Sequence, residues 1–207
     1  MADPFTPREL FSFPLFTTMV AGHEEHDAPL LEHILELRSK HPGRTRSNRN
    51  AWHSAEEFAT SRNEHIAWVL KCIMDYAKRA LAPSYQDWAT SDLRLVQYWA
   101  NVLGAGGWNA PHHHFPTHWS GTYYVSVPPV GNGVDDFSGL IEFLNPTPWQ
   151  SVLGRGGNVT HGPRAGMNVL FPASILHFVH PSSNAEPRVS IAYNLLVVPK
   201  TTPTRQG

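Results

Sequence analysis

From residue 91 onward, Gly and Pro break the sequence into short apolar runs, and this punctuation most constrains what the chain can fold into. The stretches 93–102, 120–127, 139–144, 167–171 and 189–198 are rich in Val, Ile, Leu, Phe and Tyr and are bounded by turn residues, so they read as strands. Several such strands at nearly regular spacing predict a sandwich or barrel of antiparallel strands, with helices packed outside. Upstream the texture is helical. Asp27 can cap a helix in which Leu30, Leu31, Ile34 and Leu37 recur at helical spacing and which ends over 40–43. Ser54 with Glu57 resembles a capping box opening the most regular helix, whose stripe of Ile66, Val69, Leu70, Ile73, Ala77 and Leu81 stops before Pro83. Between these helices, 41–53 reads as a polar loop from its Gly, Pro and Asn. Residues 9–20 read as a strand interrupted at Pro14, suited to a sheet edge. The fold class expected is mainly β with flanking helices (α+β), in a single domain over 1–207. Its helical support lies at about 23–82 and its β core at about 91–198.

Composition narrows the function classes. At 207 residues, with 41% hydrophobic and 16% charged, the chain can bury its own core. A net charge of -1 without a clustered basic run offers no electrostatic case for nucleic acid or an anionic membrane, and 44–49, the densest basic patch, reads as a solvated loop. No apolar stretch approaches the roughly 20 residues of a membrane span, and the amino terminus lacks a basic segment followed by an apolar run. One cysteine, Cys72, forbids an internal disulfide and fits a reducing compartment. The expectation is a soluble cytoplasmic protein, with a homodimer left open.

Chemistry concentrates in 99–124, WANVLGAGGWNAPHHHFPTHWSGTYY. In an extended strand His112 and His114 share one face while His113 points away, which makes a two-imidazole clamp. A mononuclear metal needs a third protein ligand, and His177 at the end of another predicted strand is the best candidate. Arg188 and Ser190, alternate residues opening the last strand, face one side, and a guanidinium fork beside a hydroxyl suits a carboxylate. A metal next to a carboxylate clamp suggests a chelating keto acid. If only two of the three histidines bind, His118 or His180 could be drawn in. His26 and His33 lie among Glu24, Glu25 and Glu32 and read as solvated surface, while His65 and Cys72 read as helix face or core. A bare run of histidines also reads as a surface feature, and only the order of His177 and Arg188 behind it raises it to a site.

In order, the chain carries Ser47-Asn48, Trp52-His53-Ser54, Trp99, Asn101, His112-x-His114 and Ser120-Gly121-x-Tyr123-Tyr124. It continues with Phe143, Asn145-Pro146, Phe171-Pro172, Leu176-His177, His180-Pro181, Arg188-x-Ser190 and Asn194. On these residues it resembles the iron(II)- and 2-oxoglutarate-dependent oxygenases, closest to a bacterial and phage group of that fold. The resemblance implies a double-stranded β-helix, the jelly-roll core also seen in cupins, with His112, His114 and His177 around Fe(II). It implies Arg188 on the distal carboxylate of 2-oxoglutarate, aided by Ser190 and Tyr124, with Asn101 and Trp99 on the substrate side. The reaction implied consumes O2, releases succinate and CO2, and hydroxylates an unactivated C–H bond of a small molecule or an amino-acid or peptide substrate.

One departure matters. The superfamily pattern places Asp or Glu where this chain has His114; a carboxylate would cancel one of the two iron charges, whereas three neutral imidazoles leave both. Two rival readings therefore stand: a three-histidine cupin-type dioxygenase without 2-oxoglutarate, in which Arg188 is a structural ion-pair partner, and a non-catalytic metal-binding domain. The segment 146–166, with Gly154-Arg155-Gly156-Gly157, reads equally as a lid or a surface loop.

Overall fold

The computed structural model describes residues 12–129, 137–147 and 157–200. Along the chain come β1 (Phe16–Met19), α1 (Glu24–Lys40), β2 (Asn48–His53), α2 (Glu56–Ala59) and α3 (Glu64–Leu81). The second half holds β3 (Ser91–His112), β4 (Trp119–Ser126), β5 (Ile141–Phe143), β6 (Val159–His161), β7 (Met167–Pro172), β8 (His177–Val179) and β9 (Arg188–Pro199). The strands form one curled antiparallel sheet in the order β1-β7-β4-β9-β3-β8-β5-β6, with β2 also paired to β3. This is the double-stranded β-helix that was expected.

The alternation of β9 explains why one sheet serves two purposes. Ile191, Tyr193 and Leu195 belong to the core shared with α1 and α3, where Leu30, Ile34, Ile66, Val69, Ile73, Ala77 and Leu81 are buried. The residues between them, Arg188, Ser190, Ala192 and Asn194, face a cavity on the other side. Tyr123 and Tyr124 divide the same way, the first packing under the helices and the second joining the inner cluster of Leu103, Ile141, Phe143, Val169 and Phe171.

The stripe predicted for α3 is the buried one, although Leu70 is only half-buried, and the helix ends before Pro83 as expected. Its start is corrected. Asn63 caps it, accepting from the amides of His65 and Ile66, while Ser54 and Glu57 serve other partners. Ser54 Oγ accepts from the Ala100 amide at 2.9 Å and Glu57 accepts from the Ala55 amide at 2.8 Å. The first helix likewise begins at Glu24, and Asp27 lies in its first turn. There its carboxylate accepts from the Tyr123 hydroxyl and meets the His23 ring at 2.7 Å, tying α1 to β4. Strand β2 occupies part of the expected polar loop. It lacks an apolar period because pairing with β3 holds it, through a bulge at Asn50 where φ is 46°. Strands β6 and β8, three residues each, are too short to show a period. Pro14 precedes rather than interrupts β1, which does lie at a sheet edge. Among the described residues no helix is long and apolar enough to cross a membrane.

Gly121 marks the closest approach inside the sheet. A Cβ placed there would sit 2.3 Å from the Tyr193 ring and 2.5 Å from the Val169 carbonyl. Tyr193 cannot retreat cheaply, because its buried hydroxyl donates to Asn168 Oδ1 at 3.0 Å. Gly121→Ala should therefore lower unfolding stability by about 1–3 kcal/mol through overpacking, read as a lower urea midpoint at unchanged slope; an unchanged midpoint would contradict this packing.

Candidate metal centre and its cavity

Strand register assembles the site in rungs. Leu103 pairs with Arg188, Asn101 with Ser190, Trp99 with Ala192 and Gln97 with Asn194 across β3 and β9. On the other side of β9, Tyr124 pairs with Ser190 and Thr122 with Ala192. Because alternate residues share a face, Trp99, Asn101, Thr122, Arg188, Ser190, Ala192 and Asn194 all line one cavity of about 520 Å³.

The three predicted histidines meet on that cavity. His112 closes β3, opposite His177 at the start of β8, and His114 lies two residues beyond the strand, its amide held by the Ala173 carbonyl at 2.8 Å. One ring nitrogen from each lies within 4.8 Å of the others. The ring centroids stand 4.4 Å apart for His112 and His177, 5.0 Å for His112 and His114, and 5.2 Å for His114 and His177.

The hydrogen bonds around the rings settle their tautomers. His112 Nδ1 meets the Ala110 carbonyl at 2.8 Å and His177 Nδ1 meets the Ile175 carbonyl at 2.9 Å. A carbonyl only accepts, so both Nδ1 atoms carry the proton and both Nε2 atoms keep a lone pair, the arrangement a metal ligand requires. Burial, then the neighbouring His112 and His113, lowers the pKa of His114 to about 3. Burial is also the main cause holding His177 well below the usual histidine value and His112 below it. All three are neutral near pH 7 and able to ligate. Phe171, edge-on to His177 at 4.8 Å, and Phe143 at 6.0 Å form an apolar backing.

Arg188 is 3% exposed, and among the described residues its Nε has no hydrogen-bond partner. Its guanidinium carbon lies 4.8 Å from the centroid of the Tyr124 ring. Burial lowers the Arg188 pKa from its ordinary value and raises that of Tyr124, with the neighbouring Tyr124 working in favour of the charged guanidinium. A buried guanidinium facing a cavity calls for an anion. Tyr124 itself lies beneath Arg188 and does not line the cavity, so it supports the guanidinium rather than the opening. Asn101 does line it, with its Oδ1 buried and unpartnered among the described residues. Trp99 stacks on His53 at 5.4 Å and 7° and stands 5.6 Å from His114.

Neither substitute ligand joins the cluster. His118 Nδ1 accepts from the Val197 amide at 3.1 Å, and His180 pairs with Glu142 at 2.7 Å. His26 meets His65 and Trp68, and His33 meets Ser61, away from the triad. Of the expected lid, 148–156 lies outside the described residues. Sequence reasoning missed Asn109, whose side chain donates to Ser47 Oγ at 3.2 Å, placing that hydroxyl 3.4 Å from His112 Nε2. The contact joins residues far apart in the chain and leaves no periodic signal.

Residues 97–194 match the family model described as "Putative 2OG-Fe(II) oxygenase". No curated protein matches the chain. Among solved structures, the epimerase SnoN in complex with Fe3+, alpha ketoglutarate and nogalamycin RO is similar, with 16% identity, a TM-score of 0.66, and 93% of this chain and 87% of that one covered. A Pseudomonas putida prolyl-4-hydroxylase is similar at 14% identity and a TM-score of 0.60, covering 89% and 94%. A Trichoplax adhaerens prolyl hydroxylase bound to a hypoxia inducible factor peptide fragment is similar at 14% identity and a TM-score of 0.62, covering 89% and 83%. At such identity these structures speak for the fold.

The triad also sets an acid response. Because the folded-state pKa of His114 lies at about 3, below the ordinary 6.5, the unfolded chain binds protons first. The contribution of His114 to stability is therefore fully present above pH 6.5 and is lost as pH falls towards 3. In metal-free protein the urea midpoint should drop between roughly pH 7 and pH 4, and the drop should be shallower in His114→Asn. An identical profile in the variant would contradict the assignment.

Proposed function

We propose, from the match of residues 97–194 to the 2OG-Fe(II) oxygenase family model together with the three-histidine cluster, that this chain is such an oxygenase and hydroxylates an unactivated C–H bond of a small molecule or an amino-acid or peptide substrate. In this reading His112, His114 and His177 hold iron(II), Arg188 with Ser190 seats the distal carboxylate of 2-oxoglutarate above Tyr124, and Trp99 and Asn101 face the substrate. When bound, iron(II) with 2-oxoglutarate and O2 supplies an oxidant able to take hydrogen from such a carbon, releasing succinate and CO2.

The chain's own part is to bind, orient and exclude water. The pinned Nδ1 protons of His112 and His177 leave both Nε2 lone pairs available to an ion, with a ring nitrogen of each histidine within 4.8 Å of the others. Arg188 offers parallel donors to a carboxylate in a buried setting, where a charge-assisted bond is strong. Phe143 and Phe171 keep the back of the triad dry. The free thiol Cys72 suits a reducing, cytoplasmic setting.

The observation that carries the reading is a buried guanidinium, unpaired by any carboxylate among the described residues, on the same cavity as three metal-ready imidazoles. It favours a keto-acid cosubstrate over the rival without one, which needs a protein partner for Arg188. It also speaks against a plain surface run of histidines, since His177 is 4% exposed.

Anaerobic addition of iron(II) and 2-oxoglutarate should give a weak visible charge-transfer band, and admitting O2 should release succinate; no band would overturn the proposal. Arg188→Ala should weaken 2-oxoglutarate binding by about 2–5 kcal/mol while iron(II) affinity stays the same. Unchanged keto-acid affinity would remove Arg188 from its role.

A further inference from the structure

The charge lining the cavity points to what enters it. At its exposed rim stand Arg44, Arg46 and Glu56. Glu56, the one acidic side chain among the described lining residues, is taken by Arg44 at 2.9 Å. Arg46 has no side-chain partner among the described residues, and its place is fixed from the backbone, where its amide donates to Asn48 Oδ1 at 2.6 Å. That side chain hangs free at the entrance, while Asn48 itself is anchored to the carbonyls of Arg44 and Ala51.

The interior adds to this potential. Held by three neutral imidazoles, iron(II) would contribute both its charges and Arg188 a third, of which the 2-oxoglutarate dianion would neutralise two. One positive charge would remain, in a partly desolvated cavity that magnifies it. A carboxylate in place of His114 would have brought the balance to zero. The path from the rim to the triad passes the stacked His53 and Trp99, where His53 Nδ1 donates to the Ser54 carbonyl at 2.6 Å. A volume of about 520 Å³ shared with the cosubstrate suits a small molecule.

Resting on the oxygenase reading above, we propose that the substrate is a small molecule bearing an oxyanion group, carboxylate or phosphate, which Arg46 takes at the rim while its body reaches past His53 and Trp99 towards the metal triad. The guanidinium fork matches either oxyanion in two-point fashion and leaves a neutral or cationic analogue without a partner. Arg46 is thus a specificity residue, separate from Arg188, which serves the cosubstrate.

The test uses full-length protein loaded anaerobically with iron(II) and saturating 2-oxoglutarate, with probes matched in shape and differing in charge. Indole-3-acetate is compared with indole-3-acetamide, and phenyl phosphate with phenol, by calorimetric titration and by perturbation of the charge-transfer band. In at least one pair the anion should bind about tenfold or more tighter than its neutral twin, a difference of about 1.4 kcal/mol. Arg46→Ala should bring that ratio close to one, and Arg46→Lys should keep part of it. Which pair responds tells carboxylate from phosphate. Equal affinity within both pairs, no binding by either anion, or a preference that survives Arg46→Ala would each overturn the proposal. Failure of the band to form before any probe is added would strike the oxygenase reading itself, so the two failures are distinct.

Discussion

Pairing of β9 between β3 and β4 is the constraint on which the site depends. A strand buried on both faces has to satisfy two neighbours at once, and its period of two decides which residue meets which. In β9 the odd set, Ile191, Tyr193 and Leu195, completes the apolar layer beneath α1 and α3, and the even set brings Arg188 and Ser190 to the cavity. A slip of one residue would bury a guanidinium against the helices and expose three large apolar side chains to the cavity. The hydrophobic layer therefore fixes the register, and the register places the chemistry.

Much of this was legible in the sequence, for stated physical reasons. The α3 stripe and the larger strands of the second half follow from periodicities of 3.6 and 2 that survive in one dimension, while the meeting of His177 with His112 and His114 was legible from their order in the chain. Helix starts were less legible, because Ser54 and Asp27 carry capping chemistry yet serve tertiary partners, the Ala100 amide and the Tyr123 hydroxyl. Strand β2 was hidden by its polar composition, since a strand held by a neighbour's backbone needs no apolar alternation of its own. The contact of Asn109 with Ser47 was out of reach because it is made by β2 folding against β3.

A neutral His114 where the superfamily pattern carries an acidic residue removes one negative charge from the cavity. Features that look separate then belong together: the deeply buried Arg188, and, among the described residues, the rim Arg46 without a side-chain partner and the scarcity of acidic side chains between them. A family whose members share a fold can diverge in selectivity through such a change without moving the backbone.

The triad is also mechanically uneven. His112 and His177 are each clamped by a carbonyl two residues upstream, whereas the His114 ring has no hydrogen-bond partner among the described residues and lies beyond the end of β3, where its amide donates to Ala173 and its carbonyl accepts from Thr117. Two of the rings are thus held by the backbone and the third is not. If the triad takes a metal as proposed, the ring of His114 is the one whose rotational freedom would be lost on binding, a conformational toll the other two have already met in folding.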